Sequence, residues 1–134
     1  MKRIISDQLI ADAASFRIVT ILGPRQAGKT TLARRRFKGY HYVSLEEPEL
    51  RSLASHDPRT FLSRYAAPAI IDEVQRVPEL LSYLQGIVDA NPDIKGQYVL
   101  TGSHQPLFRE KFAHSLAGRT KVNPRRQTQR GSIT

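Results

Sequence analysis

Cysteine is absent from the 134 residues, which excludes disulfides and thiolate metal sites and fits a reducing compartment. No stretch approaches the roughly 20 apolar residues that a membrane-spanning helix needs. Met1-Lys2-Arg3-Ile4-Ile5 opens like the basic end of a secretion signal, but Asp7 and Asp12 break it before an apolar segment can form. The expectation is a soluble, cytoplasmic protein that makes no use of a membrane. His41, His56, His104 and His114 show no metal-ligand spacing, and no internal repeat is present.

What remains is ordinary globular usage, with 40% hydrophobic and 25% charged residues, enough for one domain with its own core. The net charge of +9 is uneven. Arg119, Lys121, Arg125, Arg126 and Arg130 fall in the last stretch of chain, which holds no acid. Such a tail is most often simply solvated, and otherwise binds an anionic membrane surface or, weakly and by neutralising phosphates, nucleic acid. Residues 119–134 also lack apolar periodicity, so they read as a disordered basic tail behind a folded unit of residues 1–118.

Within that unit strands and helices alternate. Arg17-Ile18-Val19-Thr20-Ile21-Leu22 is a buried strand running into Gly23. Further strands are expected at 40–44, 69–72 and 97–101. Helices are expected at 4–15, 30–37, 57–65 with Asp57 as its cap, from Pro78 to near Asn91, and 107–116. The stretch between Leu45 and His56 shows no sustained period. The alternation predicts a three-layer α/β fold with a parallel sheet covered on both faces.

Gly23-Pro24-Arg25-Gln26-Ala27-Gly28-Lys29-Thr30 fits G-x-x-x-x-G-K-[ST] between a predicted strand and a predicted helix, with Thr31 following. Glycines let backbone N–H groups converge on phosphate oxygens, and the helix presents its positive end to them. Lys29 reaches the β- and γ-phosphates, and the Thr30 hydroxyl joins the shell of Mg²⁺. Downstream, Ile70-Ile71-Asp72-Glu73 places two acids at a strand tip. Asp72 suits Mg²⁺, and Glu73 suits the water that attacks the γ-phosphate.

Other positions have two readings. Ser103, after Thr101-Gly102, either senses the γ-phosphate or caps the next helix. Gln75 and Arg76 either approach that phosphate or lie on the surface. Arg119 either stabilises transition-state charge on a neighbouring subunit's nucleotide or is solvated. Arg34-Arg35-Arg36 reads as a solvated helix face.

Four strings carry a family resemblance: Leu22 to Thr31, Ile71-Asp72-Glu73-Val74-Gln75-Arg76-Val77-Pro78-Glu79-Leu80-Leu81, Leu100-Thr101-Gly102-Ser103, and Ser115-Leu116-Ala117-Gly118-Arg119. Together they resemble the prokaryotic AAA-type ATPases of the AAA_14 group, which usually carry a further C-terminal domain (DUF4143). The resemblance implies an ASCE-type P-loop core with strand order 5-1-4-3-2 and ATP with Mg²⁺ as ligands. It assigns nucleotide and Mg²⁺ contacts to Lys29, Thr30 and Asp72, and the catalytic base to Glu73. It makes Ser103 or Thr101 a sensor and sets Arg119 near the arginine-finger position. His104 stands where a small polar residue is usual.

Beyond Arg119 the resemblance stops, so the expectation is a truncated core that lacks the fifth strand and the lid. The P-loop strand would then be an exposed edge, prone to self-association. Arg119 would be loosely held and turnover slow. The reading is an ATP-binding protein of the ATPase type. A guanine reader Asn-Lys-x-Asp is absent, which disfavours a GTPase. The rivals are a non-catalytic nucleotide-dependent interaction or nucleic-acid-binding module, and a small-molecule kinase with Arg125 and Arg126 as its phosphate clamp.

Overall fold

The computed structural model describes residues 2–24, 28–103 and 106–124. In chain order the elements are α1 (Lys2–Ser15), β1 (Ile18–Leu22), α2 (Lys29–Arg36), β2 (His41–Ser44), α3 (Pro48–His56) and α4 (Pro58–Arg64). There follow β3 (Ala69–Asp72), a 3₁₀ turn (Val74–Arg76), α5 (Leu80–Ala90), β4 (Tyr98–Gly102), α6 (Pro106–Leu116) and β5 (Thr120–Pro124). The strands form one sheet in the order β2-β3-β4-β1-β5. Every pairing is parallel.

Three central strands, β1, β3 and β4, are buried at every position, as their mainly apolar runs require when both faces are covered. On one face Ile18, Leu22, Ile71 and Leu100 pack with Phe61 of α4, Leu80, Leu81, Leu84 and Val88 of α5, and Phe112 and Leu116 of α6. On the other, Val19, Ile21, Ile70 and Val99 meet Leu9 of α1 and Ala33 and Phe37 from the α2 segment. Successive side chains of each strand point to opposite faces, so one sequence feeds both layers. Among the described residues no helix is long and apolar enough to cross a membrane.

Two sequence expectations change. The fifth strand is present: β5 pairs with β1 from Ile18↔Thr120 to Leu22↔Pro124. Its polarity disguised it. A sheet edge has one side in water, so it needs few apolar residues, and lysine and proline there discourage further pairing. The P-loop strand is therefore internal, and the expected self-association through its exposed edge loses its basis. The folded unit runs past residue 118 to at least Pro124. Residues 125–134 lie outside the described residues, and with them most of the expected basic tail and any lid.

The second change is α3, where no element was expected. Pro48 opens it, since a proline at the first helical turn forfeits no hydrogen bond. Leu50, Leu53 and Ala54 pack on the core at i, i+3, i+4 spacing, a pattern only one turn long. At α4 the expected cap is observed. Asp57 accepts from the Thr60 backbone N–H at 3.2 Å and from its hydroxyl at 2.7 Å.

Candidate functional site

The site lies at the C-terminal ends of β1, β3 and β4. Pairing of β1 with β4 continues one step beyond the strand, where the Gly23 N–H donates to the Gly102 carbonyl at 3.1 Å. The loop then turns through Pro24. Arg25, Gln26 and Ala27 lie outside the described residues. Gly28 enters α2 with φ 78° and ψ 20°, a left-handed conformation that glycine adopts without steric cost. Thr31 is exposed on the first turn of α2.

Lys29 is the first residue of α2 and only 2% exposed. Its Nζ donates to the Gly23 carbonyl at 2.7 Å and to the Pro24 carbonyl at 3.2 Å. A buried ammonium demands compensation, and these two carbonyl dipoles contribute to it. The loop thus holds a cation at the positive end of a helix, a combination suited to phosphate.

Beside it stands Asp72, the last residue of β3 and 5% exposed. Its Oδ1 accepts from the Thr30 hydroxyl at 2.7 Å and from the Thr101 hydroxyl. Its Oδ2 accepts from the Tyr42 hydroxyl at 3.1 Å. Burial, and then the neighbouring Asp72 charge, push the Tyr42 phenol up to about 12, so it stays a proton donor. Three elements, α2, β4 and β2, therefore converge on one carboxylate.

Glu73 follows with φ 58° and ψ 49°, the single non-glycine residue with positive φ among those described. The Thr101 hydroxyl holds this turn in place by accepting from the Glu73 backbone N–H at 2.9 Å. One hydroxyl thus donates to Asp72 and accepts from Glu73. The Glu73 carboxylate accepts from the Gln75 side-chain amide at 2.7 Å, and the Gln75 carbonyl accepts from the Ser103 N–H at 3.3 Å. Gly102 permits this closeness, since a Cβ there would sit 3.3 Å from Gln75 Oε1 and 3.4 Å from Leu22 Cδ2. The Ser103 Oγ is buried without a hydrogen-bond partner, an orphan beside the cradle.

The oxygens of Thr30 and Asp72 fit Mg²⁺. They are hard donors, too few to hold the ion unaided, which suits a cation that brings phosphate oxygens and water with it. Among the described residues no cluster of three or more His, Cys, Asp or Glu forms an independent metal site.

Arg119 is placed elsewhere. Its carbonyl accepts from Ile18 N–H at the opposite end of β1, roughly 15 Å of strand from the cradle. Its guanidinium grips Asp89 through Nε at 2.8 Å and Nη2 at 2.9 Å, and Arg17 reaches the same carboxylate at 3.0 Å. The arginine is neither loose nor near this chain's own P-loop. Arg76 is exposed, as are His41, His56 and His114, while His104 lies outside the described residues. Arg34 is not merely a solvated face, because its guanidinium lies 4.1 Å from the centre of the Tyr42 ring.

Two contacts to Asp72 come from residues distant in the chain. Tyr42 and Thr101 are each about thirty residues from Asp72 and meet it only through sheet order. Thr101 was reachable as a polar residue at a strand end; Tyr42 belongs to no motif.

A family model described as AAA domain matches residues 15–124. The uncharacterized proteins Rv2008c of Mycobacterium tuberculosis and Mb2031c of Mycobacterium bovis are each 35% identical over 106 residues. The match covers 78% of this chain and 24% of each relative, so the chain spans about a quarter of the curated relatives it matches.

Proposed function

The chain belongs to the AAA domain family, a family of nucleotide-binding proteins, and from that premise we propose that it binds Mg-ATP in the cradle of residues 23–31 and hydrolyses it to ADP and phosphate. The observation that carries this reading is the single hydrogen-bonded chain Thr30–Asp72–Thr101–Glu73 standing beside a buried Lys29. It joins the start of α2, the Asp72 carboxylate and the backbone turn that presents Glu73.

Each residue then has a defined task. Lys29 exchanges loop carbonyls for β- and γ-phosphate oxygens, with the α2 N-terminus facing the same charge. Thr30 and Asp72 hold the ion, which when bound neutralises phosphate charge. Glu73 accepts a proton from the attacking water, and Gln75 orients its carboxylate. Ser103 would donate toward the γ-phosphate, a role supported by its buried hydroxyl having no hydrogen-bond partner. An adjacent pair of acids favours water as acceptor over a small-molecule hydroxyl. A contribution from Arg119 to transition-state charge would have to be made to another molecule's nucleotide, in competition with Asp89.

The test is Lys29→Ala. Losing a charge-assisted contact in a site shaped for it should weaken ATP binding on the order of a hundredfold, read by calorimetry. Unchanged affinity would end the reading.

A further inference from the structure

Tyr42 stands outside every motif of the site, yet it touches the carboxylate on which the metal reading depends. The two hydroxyls of Thr30 and Thr101 both fall on Oδ1 of Asp72. A carboxylate gripped at one oxygen alone still turns about its terminal torsion, which has a broad, roughly two-fold profile. Tyr42 supplies the donor to Oδ2 at 3.1 Å and so fixes the carboxylate plane.

The ring is itself held. Arg34 lies over it at 4.1 Å, a cation–π contact. Thr30 and Arg34 are four residues apart on α2, so they share one stripe of that helix. The stripe that brings the Thr30 hydroxyl to one oxygen of Asp72 therefore clamps the ring that serves the other. Deleting the hydroxyl leaves this clamp and the β2–β3 pairing intact.

We propose that Tyr42, steadied by Arg34, is a positioning residue that orients the Asp72 carboxylate for Mg²⁺, and so governs affinity for the metal rather than for the nucleotide. The inference rests on the Mg-ATP reading above.

The experiment measures ATP affinity with Mg²⁺ and with EDTA by calorimetry, beside the melting temperature, for the parent, Asp72→Asn, Tyr42→Phe and Arg34→Gln. The ratio of the two affinities is the metal advantage. Asp72→Asn should lose most of it. Tyr42→Phe should cut it about tenfold, the effect of one hydrogen bond to a charged group. Its metal-free affinity should match the parent's, and its melting temperature should fall less than that of Thr101→Val, which also leaves a buried N–H without its acceptor. Arg34→Gln should fall in between.

A Tyr42→Phe protein that keeps its full metal advantage while Asp72→Asn loses it would overturn the inference alone. Equal weakening with and without metal would also overturn it, by revealing a general structural role. If Asp72→Asn keeps the advantage too, the metal reading fails and takes this inference with it.

Discussion

Two aspartates, one near each end of the sheet, anchor clusters of opposite kind. Asp72 is buried and receives three hydroxyls, from Thr30, Thr101 and Tyr42. Asp89 has a side chain 39% exposed and receives two guanidiniums, from Arg17 and Arg119. Neutral dipoles steady a negative charge without cancelling it, whereas arginines cancel it. The three hydroxyl partners of Asp72 are neutral donors, as its proposed metal role requires. Asp89 has already met its cations and ties α5 to the starts of β1 and β5. The lesson is that a carboxylate's partners, more than its burial, decide whether it is tied down as a brace or held by neutral donors, as the proposed metal site would need.

The largest effect that sharpens this contrast concerns chemistry. Glu73→Gln should leave Mg-ATP affinity unchanged and lower turnover about 10²–10⁴-fold, the usual contribution of a positioned general base. Phosphate release beside calorimetry reads both. Parental turnover in the mutant would show that no carboxylate at position 73 takes the proton, and would leave Gln75 as the residue that orients the attacking water.

Smaller, but measurable without nucleotide, is the loss on Thr101→Val. The change strips Asp72 of one donor and leaves the buried Glu73 N–H without its acceptor. Stability should fall by about 1–3 kcal/mol, read from the denaturant midpoint.

Smallest of all is Asp89→Asn. The two arginines, Arg119 foremost, hold the Asp89 carboxyl below its ordinary value of 3.8. A depressed folded-state value means the stabilisation is fully present above about pH 4 and is lost as pH falls through the folded value. The melting-point difference between parent and Asp89→Asn should therefore be slight near neutrality and vanish in strong acid. It should vanish too at about 1 M salt, where charges are screened within roughly 3 Å. A deficit larger than that of Thr101→Val would break the comparison, because the exposed cluster would then outweigh the buried one.

Legibility in the chain follows the same division. The proposed cradle was legible as a motif because G-x-x-x-x-G-K-[ST] is a fixed local order of residue types from Gly23 to Thr30. The central strands were plain because burial on both faces leaves mainly apolar runs, as in Ala69-Ile70-Ile71. Strand order 5-1-4-3-2, implied by family resemblance, is the order observed. β5 was hidden because an edge strand resembles loop, and Thr120-Lys121-Val122-Asn123-Pro124 has one aliphatic residue. The Asp89 brace and the Tyr42 contact were hidden for a different reason. They join residues thirty or more positions apart, so no local pattern encodes them.

The left-handed backbone at Glu73 bears on how this protein can be improved or inherited. For a residue with a Cβ that conformation costs roughly 1–2 kcal/mol, which glycine largely avoids and asparagine tolerates better. Selection for heat tolerance alone would thus drift position 73 away from glutamate and discard the proposed base along the way. A library screened for melting temperature would enrich variants that are sturdier and inert, while one screened for phosphate release would retain the strained residue. The two screens should part company at this single codon.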